Sequence, residues 1–387
     1  MLAKSDKSIT FSVIILVVFG SLMIASAEMG NSVGDTSYLT GVILKQSLYA
    51  IVGLALYFYL IVSKLVRKID TKVCLIMYVL LAGAMVACRF FGQINGAYAW
   101  IRFGELTVQP SEFAKTFMIF FGAKVLSNSD KKSYRTDYII YLCLAILYII
   151  IIWLIQNDFG SAVVLAVICY CILLIPSRKE INDIRIKLFV LLALAVIGVL
   201  FLLSPFFTEF VKKHADNYMA GRFLAAADPF LYRYDNGYHV IMALVSFANG
   251  NIFGLGYGNS IHKYMNFPNP SNDFILPVIV EELGIVGFSI FLIFYLIILC
   301  QLMRWSYKIN NLASKITLLG CFVYIITHFI LNVGGVSALI PLTGVPLLLI
   351  SSGGSSLVSC LMALGLAQSE IADSRTVIHN ESNSRQI

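Results

Sequence analysis

Long apolar runs separated by short polar clusters are the dominant pattern of the chain. Runs of about twenty residues, each able to cross about 30 Å of hydrocarbon as a helix, recur near 9–27, 42–62, 72–89, 111–126, 137–155, 159–175, 187–206, 274–303, 314–333 and 345–367. The pattern predicts an all-α polytopic membrane protein with about ten transmembrane helices. Two of these spans are irregular, since the fourth contains Glu112 and Lys115 and only "QNDFG" (156–160) separates the fifth from the sixth. Residues 207–273 break the rhythm, being too polar to cross and too aromatic to stay unfolded. They predict a large extracellular cap between helices 7 and 8, built from short interfacial helices. Within the cap, "ANGNIFGLGYGNS" (248–260) has glycines dense enough for tight turns and close backbone approach. Residues 1–368 then form one transmembrane domain. The polar stretch 369–387 lacks periodic apolar positions and is expected to be a disordered cytoplasmic tail.

Composition supports this reading: 59% of residues are hydrophobic and 13% charged, about half the charge of a soluble domain. The cations give an orientation, because short cytoplasmic loops are rich in Lys and Arg. With the N-terminus inside, the inner loops hold Lys64, Arg67, Lys68, Lys72, Lys131, Lys132, Arg135, Arg178, Lys179, Arg185, Lys187, Arg304, Lys308 and Lys315. The short outer loops contain Arg102, with Arg89 at a boundary. Both termini are therefore expected in the cytoplasm. The net charge of +7 reads as a topology signal and not as a nucleic-acid surface. Lys4, Lys7 and "ASA" (25–27) also fit a cleavable secretory signal, but the charge alternation works with the segment retained. The eight cysteines lie in or beside apolar spans without metal-type spacing and predict free thiols. The five histidines form no metal triad, and no phosphate loop or nucleotide fingerprint is present.

Ionisable residues inside spans usually face a cavity, a partner or each other, because a charge at mid-membrane costs about 2.5–3.5 kcal/mol on insertion scales. Four stretches meet that description. In "SNDFILPVIVEELG" (271–284), Asp273 sits at the cap–helix junction, while Glu281 and Glu282 lie about 12 Å deeper at 1.5 Å per residue. Asp273 fits a helix N-cap, and the glutamates fit anchors to a neighbouring helix. In "VQPSEFAK" (108–115), Pro110 suits a helix start, and Glu112 and Lys115 share one face. Those two suit an intrahelical pair or, at the outer boundary after "NGAYAWIRFG" (95–104), a substrate-facing wall. "QNDFGSA" (156–162) places Asp158 in a tight turn and suggests a cap. "PLTGVPLLLISSGGSS" (341–356) interrupts the last span with two prolines and with Ser351, Gly353 and Gly354, so its backbone needs partners. Such breaks line polar cavities or mark packing kinks.

In this order the stretches resemble the FtsW/RodA/SpoVE membrane family. Its pattern runs "NGA..W", "QPSE..K", "QPDLGTA", "GYQ…GLGNS..K…LPE.HTDFIF…EELG" and "P.TG.PLP.iSYGGSS". The counterparts here are Asn95, Gly96, Ala97 and Trp100, then 109–115, 156–162, 237–284 and 341–356, so the resemblance covers about residues 95–365. "GLGYGNSIHK" is closer to the FtsW-type branch. The chain departs from the pattern where "HTDF" is "SNDF", "LPE" is Phe267, Pro268 and Asn269, and "QPD" is Gln156, Asn157 and Asp158. Further departures are "SYGG", which is "SSGG", "GYQ", which ends in His239, and the "ARRW" arginines, which are Tyr98 and Ala99.

The resemblance implies a peptidoglycan glycosyltransferase that joins lipid II units on the outer membrane face, releasing undecaprenyl pyrophosphate. It implies Asp273 as the essential carboxylate. Such chemistry needs a base for the acceptor hydroxyl and cations for the departing pyrophosphate. Glu112, Lys115 and Trp100 are then expected to line the substrate site, with Arg102, Arg222 and Lys263 as candidate cations from their outer placement. Asp158, Glu281, Glu282, Ser351, Gly353 and Gly354 are expected to support it. A divalent ion (Mg or Mn) could bridge Asp273 and pyrophosphate, although no spacing demands one and no resident metal site is expected. The implied partners are lipid II, the undecaprenyl-linked glycan chain, membrane lipids and a class B penicillin-binding protein. Two other readings stay open: a lipid II flippase, and a non-catalytic scaffold for a transpeptidase.

Overall fold

A computed structural model describes residues 2–31, 36–63, 69–94, 96–104, 106–127, 134–202, 224, 226–234, 237–265, 267 and 269–384. The described helices are α1 (Lys7–Glu28), α2 (Thr36–Val62), α3 (Thr71–Ala87), α4 (Pro110–Leu126), α5 (Tyr134–Ile150), α6 (Phe159–Leu174), α7 (Asn182–Leu202), α8 (Gly237–Gly250), α9 (Ile275–Lys308), α10 (Leu312–Val336) and α11 (Gly354–Ser384). A short hairpin, β1 (Ile101–Phe103) and β2 (Leu106–Val108), pairs Arg102 with Thr107 antiparallel and joins α3 to α4. With an isolated bridge between Ile94 and Ala97, it is the β-structure among the described residues. Tyr49 on α2 pins it, with its hydroxyl 3.0 Å from the Thr107 carbonyl.

Seven described helices are long and apolar enough to cross a membrane: α1, α2, α3 with its following turn, α5 with its π-helical end, α9, α10 and α11 as far as Thr376. The chain is thus a multi-pass membrane protein. Of the expected spans, α6 is apolar but has 16 residues, and α4 has 17 and carries Glu112, Lys115 and Lys124. The sequence makes α4 look like a poor span because of these charges. In the fold it is packed among α3, α5, α6, α10 and α11 and buried except for a partly exposed stripe at Phe113, Phe120 and Lys124, so Glu112 and Lys115 meet protein and not lipid.

Three expectations need correction. The last span does not run from 345, since 341–353 is non-helical and α11 starts at Gly354. Pro341 and Pro346 remove backbone donors, and Gly344 (φ 70°) and Leu349 (φ 68°) reverse the chain. The eighth span is broken as well: Gly284 in α9 has φ 65° and ψ −165°, a conformation open essentially to glycine alone. Finally, the stretch after Gln368 is helical to Ser384. Ile371 and Ala372 are buried there, and Arg375 donates to the Ser5 carbonyl at 2.9 Å and to Asp6 at 3.2 Å. Arg375 also lies over the Trp305 ring, with its guanidinium carbon 4.6 Å from the ring centroid, so residues distant in sequence hold a segment whose own periodicity is weak.

Candidate functional site

Asp273 ends a turn that leads into α9, and the turn is held one carbonyl at a time. The Ser352 N–H donates to Ser271 O at 2.8 Å, Ser351 Oγ donates to Asn272 O at 2.7 Å, and Asn332 Nδ2 donates to Asp273 O at 2.9 Å. Asn332 also donates to Val345 O at 2.9 Å, so one amide staples the turn to the segment 341–353. The Ser271 hydroxyl donates to Glu28, a buried carboxylate at the end of α1. Phe274 occupies the N-cap position and no side chain caps the helix. Asp273 stands one residue before the N-cap, and it is half-buried. A Cβ at Gly344 would stand 3.6 Å from Asp273 Oδ2, so glycine keeps that approach narrow and unfilled.

The other motifs converge beside this turn. Asp158 caps α6 by accepting from Ser161 N at 3.0 Å, and its second oxygen accepts from Gln109 Nε2 at 2.9 Å. The Gln109 N–H donates to Ser355 Oγ at 2.9 Å. At Gly160 a Cβ would lie 2.7 Å from Thr343 O, which presses the α6 start against the same proline-interrupted segment. Asp158, Ser351, Gly353 and Gly354 thus belong to one framework, in which 341–356 is shared by the turn of Asp273 and the start of α4.

Glu112 and Lys115 lie below it, 1% and 0% exposed. This corrects their expected place on an accessible substrate wall: they form an intrahelical ion pair at 2.6 Å. Tyr324 donates to Glu112 Oε2 at 3.2 Å, and Ser359 donates to the Glu112 carbonyl at 2.7 Å. Lys115 Nζ stands 3.4 Å from His328 Nε2, and His328 Nδ1 is 3.0 Å from Pro346 O. The sequence reading missed His328 and Asn332. The signal was available, since a buried Lys–Glu pair in a span calls for polar partners and these two are four apart on one face of α10.

Glu281 and Glu282 are fully buried and act as anchors. Glu281 meets His262 Nδ1 at 2.6 Å and Ser260 Oγ at 2.5 Å. Glu282 pairs with Lys263 Nζ at 2.8 Å and accepts from Gly258 N at 3.0 Å. Lys263, expected to hold pyrophosphate, is therefore corrected: it is 1% exposed and neutralises Glu282. The glycine-rich loop also fills the break in α9. Leu255 and Gly256 donate to the Glu281 and Glu282 carbonyls at 2.9 Å each, while Ile285 and Val286 donate to Asn251 and Ile252 at 3.1 Å each. The loop stands in for the missing helical turn, which is how a broken span stays satisfied in lipid.

Arg102 is exposed on β1 and Trp100 is half-buried just before it. Arg222 lies outside the described residues. Among the described residues no group of three or more His, Cys, Asp or Glu could hold a metal ion.

The model of the FtsW/RodA/SpoVE cell cycle proteins matches residues 6–375. The probable peptidoglycan glycosyltransferase FtsW of Bacillus subtilis (strain 168) is 32% identical over 378 residues, covering 95% of this chain and 90% of its own. Stage V sporulation protein E of the same organism is 29% identical over 367 residues, covering 93% and 95%. Among solved structures, a chain from "Structural coordination of polymerization and crosslinking by a peptidoglycan synthase complex" has a TM-score of 0.68 at 24% identity, covering 96% of this chain and 98% of its own. That likeness speaks for the fold.

Proposed function

The chain belongs to the FtsW/RodA/SpoVE family of cell cycle proteins, and we propose that it is a peptidoglycan glycosyltransferase polymerising lipid II on the outer face of the cytoplasmic membrane. The observation that carries this reading is the half-buried Asp273 carboxylate on a turn whose three carbonyls are individually tied. A base must be held within hydrogen-bond reach of the proton it removes, and a clamped turn supplies such a holder. In the reaction an acceptor sugar hydroxyl attacks the anomeric carbon of a lipid-linked donor. The new glycosidic C–O bond forms as the bond to pyrophosphate breaks. The hydroxyl proton passes to Asp273, and undecaprenyl pyrophosphate leaves. Arg102, exposed on the hairpin, is suited to attract the pyrophosphate charge, and Trp100 offers a flat apolar face to a sugar or prenyl chain. If a divalent ion takes part, Asp273 would be the residue to hold it, and the ion would neutralise charge on the departing pyrophosphate.

The orientation follows from the cations. Arg304 and Lys308 end α9, so with cytoplasmic termini the Asp273 end of that helix faces outward, where a crosslinking partner would take up nascent glycan. The expected ten-span topology is kept by letting α4, α6 and α7 complete the bundle. A class B penicillin-binding protein suits the partner role, since the similar solved chain comes from a complex coordinating polymerization and crosslinking.

The test is polymerisation of purified lipid II in detergent, where no leaflets exist and a flippase has no work to do. Wild type should produce long glycan, and Asp273→Asn, folded to the same level, should produce none.

A further inference from the structure

Two side chains of α10, His328 and Asn332, grip consecutive carbonyls of the interrupted segment, at Pro346 (3.0 Å) and Val345 (2.9 Å). Asn332 continues to the Asp273 carbonyl at 2.9 Å. His328 is wholly buried, and its other nitrogen faces the ammonium of Lys115 at 3.4 Å. The protonation pattern of the ring follows from its neighbours. A proline carbonyl can only accept, so Nδ1 must carry a proton. An ammonium can only donate, so Nε2 must offer its lone pair. Lys115 is in turn fixed by Glu112 at 2.6 Å, and Glu112 by Tyr324 and Ser359.

We propose that His328, set in its neutral Nδ1–H tautomer by the Glu112–Lys115 pair, is a positioning residue that holds the 344–346 turn against Asp273. The proposal rests on the reading of Asp273 as the base and gives the buried charge pair of α4 a task. Pairing within α4 satisfies those charges, and its consequence is felt at Pro346. Asn332 completes the clamp by tying the next carbonyl and the Asp273 backbone to the same face of α10. The network is buried, so its effect on the reaction is geometric: loosening it lets Gly344 and Asp273 drift apart. A displacement of about 1 Å at a reacting group can cost about 10²-fold in rate.

Two measurements on the full-length chain in detergent test this. The first is 15N NMR of histidine-labelled protein, with the His328 signals identified by their loss in His328→Gln. It should show a pyrrole-type Nδ1 and a pyridine-type Nε2, the latter shifting in Lys115→Met. An Nε2–H tautomer or an imidazolium at His328 overturns the proposal. The second is steady-state polymerisation of lipid II. His328→Leu, which can neither donate to Pro346 nor accept from Lys115, should lower kcat about 10²-fold with KM within about 3-fold. His328→Gln, whose amide can do both, should restore kcat to within a few-fold of wild type. Equal kcat for the two variants, or a loss confined to KM, overturns it. Should His328→Leu fail to fold, the tautomer and the His328→Gln kinetics still decide. Normal turnover by Asp273→Asn would remove the base assignment alone, because the tautomer and the Leu/Gln contrast are read on chains that retain Asp273.

Discussion

At the scale of single residues, spacing shows the Glu112–Lys115 pair but hides the partners of other buried charges. Lys263 and Glu282 are 19 residues apart, and their contact exists because the glycine-rich loop folds back over α9. From the sequence Lys263 looks like an outer cation; in the fold its ammonium also reaches Ser26 at 3.1 Å on α1. Lys263→Met should leave the Glu282 carboxylate buried without its cation and destabilise the protein by about 3–5 kcal/mol. Thermal unfolding in detergent measures this, and adding Glu282→Gln should return much of the loss. The motifs flag Asp273 and Glu112 as residues of interest, and the Glu112–Lys115 pairing follows from their spacing. Asn332 and His328 were not, because a polar residue in an apolar run reveals its need for a partner without revealing which one.

At the scale of elements, the positions of the long apolar helices were readable from run length alone, with ends within a few residues for α1 and α10. The breaks were harder to place. Prolines advertise the interruption at 341–353, but the break in α9 depends on the backbone of Gly284, which the sequence does not set apart from Gly287 three residues on. Its helical carbonyls are taken over by Leu255 and Gly256, a substitution that no local pattern encodes. Gly284→Ala should cost about 1–3 kcal/mol in backbone strain and more from the Ile252 carbonyl that its Cβ would meet. The expected readout is a lower unfolding midpoint, together with increased proteolysis in 251–265 as the loop loses its place in the helix.

At the scale of the molecule, two clusters at opposite ends of α9 hold the bundle. One is the Asp273 framework. The other centres on Asp6, which caps α1 through Ser8 and Ile9 and accepts from Trp305 Nε1 at 2.8 Å and Arg375 at 3.2 Å. Gln368 bonds the Asp6 backbone in both directions at 2.8 Å, so α1, α9 and α11 meet at one carboxylate. Composition predicted a loose tail there because none of these partners is near in sequence. Asp6→Ala should remove the cap and two charge-assisted bonds, lowering stability by about 2 kcal/mol or more and the unfolding midpoint with it. Polymerisation below that midpoint should continue, because the cluster lies at the far end from Asp273. The central claim, that the half-buried acid at the outer end of α9 removes the acceptor proton, is tested most directly by glycan length and yield from purified lipid II with Asp273→Asn in detergent. The account predicts a folded protein that makes no polymer; wild-type chains from that variant would contradict it.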